Sequence, residues 1–226
     1  GWTDYHKLIE YVTFDVTSYL KEGENVIGAE VGNGWFYKMD EHYTFKFPEF
    51  MPPNPNPYKP FGKELVLAVE LTITYVDGTV EVIHADEDFL VKEHPVVMSN
   101  VYGSETIDGR KNQDGWCTAG FNATSWENAS IVAKEKEPTG RMIDQIQPPV
   151  KVLHSYQGEY LNNVQSKDIY DFTQNMSGIL EFEVKGKAGD EIHLYPAEKL
   201  AENGDVDQMA KGWVNLDSCI TYIIGQ

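Results

Sequence analysis

The segment ELVLAVELTITYVDGTVEVIH, residues 64–84, decides the fold class. Apolar side chains occupy every second position from Leu65 to Tyr75. This period is typical of a β-strand, in which successive side chains point to opposite faces of a sheet. The pair Asp77-Gly78 follows, and such a pair supplies the positive φ angles of a tight turn. The segment therefore predicts a β-hairpin.

Other parts of the chain repeat this alternation, whereas helical signals are few. One helical turn is predicted over residues 17–23, with Thr17 as its N-cap and Gly23 at its end. No stretch carries a helical apolar stripe over three turns. The further strand patterns are at residues 8–16, 26–31, 179–184 and 191–195. Many short strands separated by turns predict an all-β fold of two antiparallel, jelly-roll-like β-sandwich domains with little helix.

Two proline-rich stretches divide the chain. Residues 48–60 are read as a surface loop within the first domain, because strand patterns flank them and prolines cannot occupy a central strand. Residues 138–149 follow a charged run and are the better domain boundary. The predicted domains are an N-terminal sandwich over residues 1–140 and a second sandwich over residues 147–226.

Charge limits the choice of partner. The chain has 18 Lys and Arg against 36 Asp and Glu, a formal net charge of −18. Such a chain repels phosphate backbones and anionic membranes, so neither nucleic acid nor a membrane is an expected partner, whereas a neutral sugar is compatible. Cys117 and Cys219 show no metal-binding spacing, and whether they pair is left open.

Few motifs carry recognisable chemistry. The six histidines form neither HxH nor HExxH, so no metal site is predicted, and neither GxSxG nor a phosphate-binding glycine loop occurs. Glu105 and Asp108 could flank a sugar, although an ion pair with Arg110 or a loop-holding role is favoured. No catalytic residue is therefore assigned. Residues 203–207 offer oxygen ligands for calcium, but they lack EF-hand spacing and an Asx turn is favoured.

Aromatic residues are numerous, with 5 Trp, 13 Tyr and 10 Phe. Exposed rings stack on the C–H faces of sugars, although a role in plugging the sandwich cores is the favoured alternative. If sugar binds, the candidate residues are Asn33, Trp35, Tyr37, Tyr102, Glu105, Asp108, Arg110 and Trp116.

Several motifs in a fixed order carry a family resemblance. GWTDY at residues 1–5, YVTFDVTSYLKEGENVIG at residues 11–28 and GNGW at residues 32–35 resemble the N-terminal domain of bacterial α-L-rhamnosidases. SNVYGSETIDGR at residues 99–110 continues this pattern, and DFTQNMSG at residues 171–178 resembles a signature of the following domain. The departures are Thr173 in place of glycine, Gly109 in place of alanine and Phe89 in place of tryptophan. A threonine at a glycine position with positive φ would strain that turn.

The resemblance implies a division of labour. In such enzymes a downstream (α/α)₆ barrel supplies the general acid and general base and inverts configuration. The present chain is then expected to be an accessory, non-catalytic portion, truncated at the start of its first domain and at the end of its second. The parent would be a bacterial glycoside hydrolase that removes terminal α-L-rhamnosyl residues outside the cytoplasm, in the periplasm or secreted.

Two other classes of function remain open at this point. A lectin-like module would recognise rhamnose-containing glycans, with calcium as its candidate ion, and no other cofactor is expected. A free-standing enzyme would need two opposed carboxylates in a pocket across a sugar-sized gap.

Overall fold

A computed structural model describes residues 3–34, 36–37, 61–62, 64–100, 104–208 and 218–225. Its described residues form short strands and three single 3₁₀ turns, which confirms the predicted all-β class with little helix. No helix within those ranges is long and apolar enough to cross a bilayer. The strands are β1 Leu8–Tyr11, β2 Glu70–Thr74, β3 Val80–His84, β4 Leu90–Val91, β5 Val96–Asn100, β6 Ser104–Asp108, β7 Glu127–Asn128, β8 Arg141–Asp144, β9 Glu159–Val164, β10 Lys167–Asp171, β11 Glu191–Leu194 and β12 Cys219–Ile223.

Contacts divide the chain into two units that interleave in sequence. Unit 1 combines the described residues within Gly1–Met39, Asn56–Pro95 and Lys111–Ile146. Unit 2 includes those within Val96–Arg110 and Gln147–Gln226. The predicted boundary between residues 140 and 147 stays a prediction about sequence domains, and it falls where the chain leaves unit 1 for the last time.

The hairpin predicted around Asp77-Gly78 is present in unit 1. β2 pairs antiparallel with β3, and Leu71 lies opposite Ile83. Gly78 has a φ of +87°, which glycine adopts at no steric cost. The Thr79 N–H donates to Asp77 Oδ1 at 2.9 Å, so the aspartate holds the turn from within. The first strand of the hairpin begins at Glu70 rather than at Glu64.

Other elements of unit 1 are shorter than predicted or of another type. The pattern over residues 8–16 gives only β1, which pairs in parallel with β8. The predicted helical turn is a 3₁₀ turn at Thr17–Tyr19 with Val16 as its N-cap, so the predicted N-cap Thr17 is wrong; the turn ends before Gly23, which has a φ of +91°. Residues 26–31 contain no strand, nor do residues 179–184 in unit 2. Alternation identifies an extended, two-faced segment, but a strand also needs a hydrogen-bonded neighbour.

Unit 2 contains a four-stranded sheet in the order β11-β12-β6-β5. β12 is parallel to β6, whereas the other two pairs are antiparallel. Side chains directly opposite each other share a sheet face, so the register separates two surfaces. One face carries Ile107, Ile192, Leu194, Ile220 and Tyr222, together with Glu105. The opposite face carries Thr106, Asp108, Glu191, His193, Cys219 and Thr221, together with Ile223.

A second hairpin in unit 2 joins β9 to β10. Val164 lies opposite Lys167, so the loop has the two residues Gln165 and Ser166. Ile169 on β10 is 5% exposed and is the most completely buried apolar side chain of the described residues.

Candidate functional site

The predicted candidates Asp108 and Arg110 form a salt bridge at the end of β6. Arg110 Nε donates to Asp108 Oδ1 and its terminal nitrogen donates to Oδ2, both at 2.8 Å, and the Arg110 backbone N–H also reaches Oδ1 at 3.1 Å. The Asp108 side chain is 10% exposed and that of Arg110 is 53% exposed. The hydrogen bond and charge of Asp108 raise the pKa of Arg110 above its usual value. Such a two-pronged, charge-assisted contact fixes the corner and engages both carboxylate oxygens.

Glu105 lies on β6 as well, but not on the face that carries Asp108. Its register partners are Ile220 on β12 and Ser99 on β5. Because side chains alternate along a strand, residues three apart point to opposite faces. The two carboxylates therefore do not face one another across a common surface, and a role of Glu105 in sugar binding stays a prediction.

Trp116 lies in an aromatic cluster of unit 1 and is partly buried. Its ring stacks on that of Trp126, with centroids 6.1 Å apart and planes 26° apart, and Phe121 meets Trp126 edge-on at 5.8 Å. Trp126 Nε1 donates to Gln113 Oε1 at 2.9 Å. A Cβ at Gly28 would lie only 2.6 Å from the Trp116 ring, so glycine is needed for this approach. This packing uses one Trp116 face and part of its edge.

The candidates Asn33 and Tyr37 enclose a tight reversal in unit 1. The Tyr37 N–H donates to the Asn33 carbonyl at 3.2 Å, and Gly34 between them has a φ of +50°. Tyr37 also forms an isolated parallel bridge with Gly62. Both candidates are partly buried. The candidates Trp35 and Tyr102 lie outside the described residues.

The six candidates among the described residues are divided between the two units. Asn33, Tyr37 and Trp116 belong to unit 1, whereas Glu105, Asp108 and Arg110 belong to unit 2. Within each unit the structure brings together Asn33 with Tyr37 and Asp108 with Arg110. Their assignment to sugar binding remains a prediction.

The segment weighed for calcium forms the Asx turn that the sequence favours. The Asp205 N–H donates to Asn203 Oδ1 at 3.1 Å, and Gly204 has a φ of +80°. Asp205 Oδ2 accepts a hydrogen bond from Lys167 Nζ. No group of three or more His, Cys, Asp or Glu in the part of the chain that the structure describes is arranged to hold a metal ion.

A polar cluster on the second face of the unit 2 sheet was not predicted. His193 Nδ1 lies 3.1 Å from Thr221 Oγ1 and 3.8 Å from Cys219 Sγ. His193 Nε2 lies 3.4 Å from Glu191 Oε2. Alternation puts Glu191 and His193 on one face of their strand, but no feature of the sequence identifies β12 as the neighbour of β11.

These sheets and turns place the chain in the class of all-β, sandwich-forming proteins. A family model described as "Alpha-L-rhamnosidase N-terminal domain" matches residues 1–154, and one described as "Bacterial alpha-L-rhamnosidase concanavalin-like domain" matches residues 162–224. The chain belongs to the α-L-rhamnosidase N-terminal domain family.

Curated relatives and solved structures agree with this assignment. An α-L-rhamnosidase of Streptomyces avermitilis is 29% identical over 207 residues, which are 91% of this chain and 19% of the relative. One of Formosa agariphila is 31% identical over 206 residues, 89% of this chain and 20% of the relative. The chain thus spans about a fifth of the length of these relatives.

Solved structures of α-L-rhamnosidases match the whole chain. That of Streptomyces avermitilis α-L-rhamnosidase complexed with L-rhamnose gives a TM-score of 0.79 at 27% identity, and the match covers 20% of that chain. That of native Aspergillus terreus α-L-rhamnosidase gives a TM-score of 0.75 at 26% identity, with 24% of that chain covered.

Proposed function

We propose that this chain is the non-catalytic β-sandwich portion of an α-L-rhamnosidase, an enzyme that hydrolyses terminal α-L-rhamnosyl residues of glycans or glycosides. The observation that carries the proposal is the match of 91% of the chain to 19% of an α-L-rhamnosidase. A region that is a fifth of such an enzyme leaves most of the polypeptide to hold the reacting groups. The partner is then a catalytic (α/α)₆ barrel in the same polypeptide.

The arrangement of the candidate carboxylates supports catalysis elsewhere. Glycoside hydrolysis needs one carboxylate as acid and a second as base or nucleophile, facing the bond from two sides. Asp108 has both oxygens engaged by Arg110, and Glu105 lies on the other face of β6. Glu105 and Asp108 therefore do not form the opposed pair of carboxylates that glycoside hydrolysis needs.

Exposed apolar side chains in unit 2 support a packing role. Val150 is 100% exposed, Val152 is 74% exposed and Leu153 is 80% exposed. Three large apolar residues in so short a segment are costly to leave in water, about 25 cal/mol for each Å². We propose that the catalytic barrel of the parent enzyme packs over these three side chains.

An assay of two proteins tests the proposal. We expect the whole gene product to release rhamnose from an aryl α-L-rhamnoside, and residues 1–226 alone to release none above the buffer rate. Adding the purified 1–226 chain to a barrel-only protein should raise the melting temperature or activity of that protein. Rhamnose release by the 1–226 chain alone would overturn the proposal.

Calorimetric titration of L-rhamnose into the 1–226 chain, with and without calcium, tests the lectin-like alternative. The accessory role predicts no binding heat in either titration. Saturable heat in either titration would favour the lectin-like function instead. The same proposal places the enzyme outside the cytoplasm, because the glycans that it would degrade are external.

A further inference from the structure

A thiol, an imidazole and a carboxylate lie on one face of two neighbouring strands in unit 2. Cys219 and Thr221 alternate along β12, and Glu191 and His193 alternate along β11. His193 is the register partner of Thr221, so all four side chains share a face. The proposed role in a rhamnosidase makes no use of this cluster.

The contact with Glu191 favours one tautomer of His193. The Glu191 carboxylate lies 3.4 Å from Nε2, so its charge favours a proton on that nitrogen. In the neutral ring with the proton on Nε2, Nδ1 is the acceptor, and it lies 3.1 Å from Thr221 Oγ1 and 3.8 Å from Cys219 Sγ. Glu191 thus acts as a positioning residue for an imidazole that can accept the thiol proton, an arrangement that activates nucleophilic cysteines elsewhere.

We infer that Cys219 is a reactive-thiol site that takes small neutral disulfides. His193 Nδ1 accepts the proton of the thiol, and the Sγ thiolate attacks one sulfur of the disulfide. A bond forms between Sγ and that sulfur while the original S–S bond breaks. The second half of the disulfide leaves as a thiolate and receives the proton from His193. Cys219 is oxidised and the leaving half is reduced, so the disulfide itself is the oxidant.

Accessibility and charge define the ligand class. The side chains of His193 and Glu191 are 44% and 54% exposed, and Cys219 is of intermediate exposure, so a small molecule can reach the sulfur. Cys219 is a free thiol in the structure. Glu191 and the net charge of −18 repel anions, which favours neutral disulfides over anionic ones.

The test uses the whole 226-residue chain and dithiodipyridine, a neutral aromatic disulfide whose released thiopyridone absorbs light. Mass spectrometry of quenched samples assigns the reaction to Cys219 or to Cys117, which is exposed and serves as a reference within the same molecule. We expect His193→Gln to slow modification of Cys219 by at least about fivefold while the rate at Cys117 stays the same. Thr221→Val is the matched control, because it removes a hydroxyl that competes for Nδ1 and should leave the Cys219 rate equal or higher.

A spectroscopic readout separates positioning by Glu191 from a purely structural effect. Two-bond ¹H–¹⁵N spectra of the imidazole should report the proton on Nε2 of His193 in the wild type, and a mixture of tautomers in Glu191→Ala. The inference is overturned if His193→Gln leaves the Cys219 rate within about twofold of wild type, or if Thr221→Val slows it equally.

Discussion

Thr173 occupies a backbone conformation that its side chain disfavours. It follows β10 with a φ of +58°, in the left-handed region where glycine is at ease and a β-branched residue is strained. Asp171 Oδ1 accepts its N–H at 2.8 Å, an Asx turn that holds the conformation. Glycine is usual at this position in the rhamnosidase family, so the resemblance predicted strain at Thr173 if the backbone has a positive φ. The observed φ meets that condition.

We therefore expect Thr173→Gly to raise the free energy of unfolding by about 1 kcal/mol. Relief of about 1–2 kcal/mol of left-handed strain exceeds the extra entropy that glycine loses on folding, about 0.5–1 kcal/mol. Hydrogen exchange of the β10 amides at increasing urea concentrations measures the change in the free energy of unfolding.

A threonine in an ordinary strand provides the control for this substitution. Thr72 is exposed on β2, where Thr72→Gly should lower stability by about 0.5–1 kcal/mol, as measured by exchange of the β2 amides. A loss of similar size in Thr173→Gly would mean that its side chain makes contacts worth more than the strain.

Gly109 shows the opposite kind of departure from the family pattern, in which alanine is common. A Cβ at this position would lie 2.8 Å from the Ile223 carbonyl oxygen and 3.0 Å from the Gly225 nitrogen. Gly225 is equally constrained, because its Cβ would lie 2.5 Å from the Gly109 carbonyl oxygen. Two glycines thus allow the end of β12 to approach the turn after β6.

Among the elements, the hairpin of β9 and β10 has an unfavourable turn sequence. Gln165 and Ser166 have φ angles of 51° and 65°, the two positive values that a type I′ turn requires. Neither residue adopts this conformation readily, whereas Asn-Gly does.

We expect the double substitution Gln165→Asn and Ser166→Gly to stabilise this hairpin by about 1 kcal/mol. Hydrogen exchange of the β9 and β10 amides measures the change in the stability of this hairpin. In the other hairpin, Gly78→Ala at a φ of +87° provides the reverse case and should destabilise β2 and β3 by about 1 kcal/mol. Unchanged exchange in the first variant would show that tertiary contacts, not the turn, set the stability of β9 and β10.

The two hairpins also explain how much of the fold the sequence could predict. β2 and β3 were predictable because strict alternation flanks an Asp-Gly turn. β9 and β10 were missed, since Gln165-Ser166 carries no turn signal and the segment GEYLNNV, residues 158–164, does not alternate. The parallel pairing of β1 with β8 joins Leu8 to Arg141, and no local pattern encodes a partner so distant.

The candidate site was predictable where neighbours are close in sequence. The ion pair of Asp108 with Arg110 spans two residues, and the sequence favoured it over a sugar-binding pair. His193 and Cys219 are brought together only by the pairing of β11 with β12. Which face of a strand meets which neighbour is a tertiary property, so that cluster had no signal in a single sequence.

For the molecule as a whole, acidic charge dominates the response to pH. A net charge of −18 means that mild acidification first relieves repulsion among 36 Asp and Glu residues. Asp205 responds in the opposite direction. The hydrogen bond from Lys167 chiefly, with that from the Val206 N–H at 2.8 Å, lowers the pKa of Asp205 below its ordinary value. Because Lys167 begins β10 and Asp205 lies in the 203–207 turn, their contact ties two segments of unit 2 together.

The sign of this effect follows from linkage. A carboxyl whose pKa is lowered by folding adds stability above its unfolded pKa, about 3.9, and loses it as pH falls through the folded pKa. We expect Asp205→Asn to be less stable than wild type at about pH 7, and the difference to shrink as the pH falls below about 4 and through the lowered pKa of Asp205. Urea unfolding across this range, followed through the β10 amides, gives both curves. Glu202→Gln removes one negative charge from the residue that precedes this turn and corrects for general repulsion. A gap between wild type and Asp205→Asn that stays constant down to the lowest pH would assign the loss to altered packing, because only an ionised Asp205 gains from Lys167.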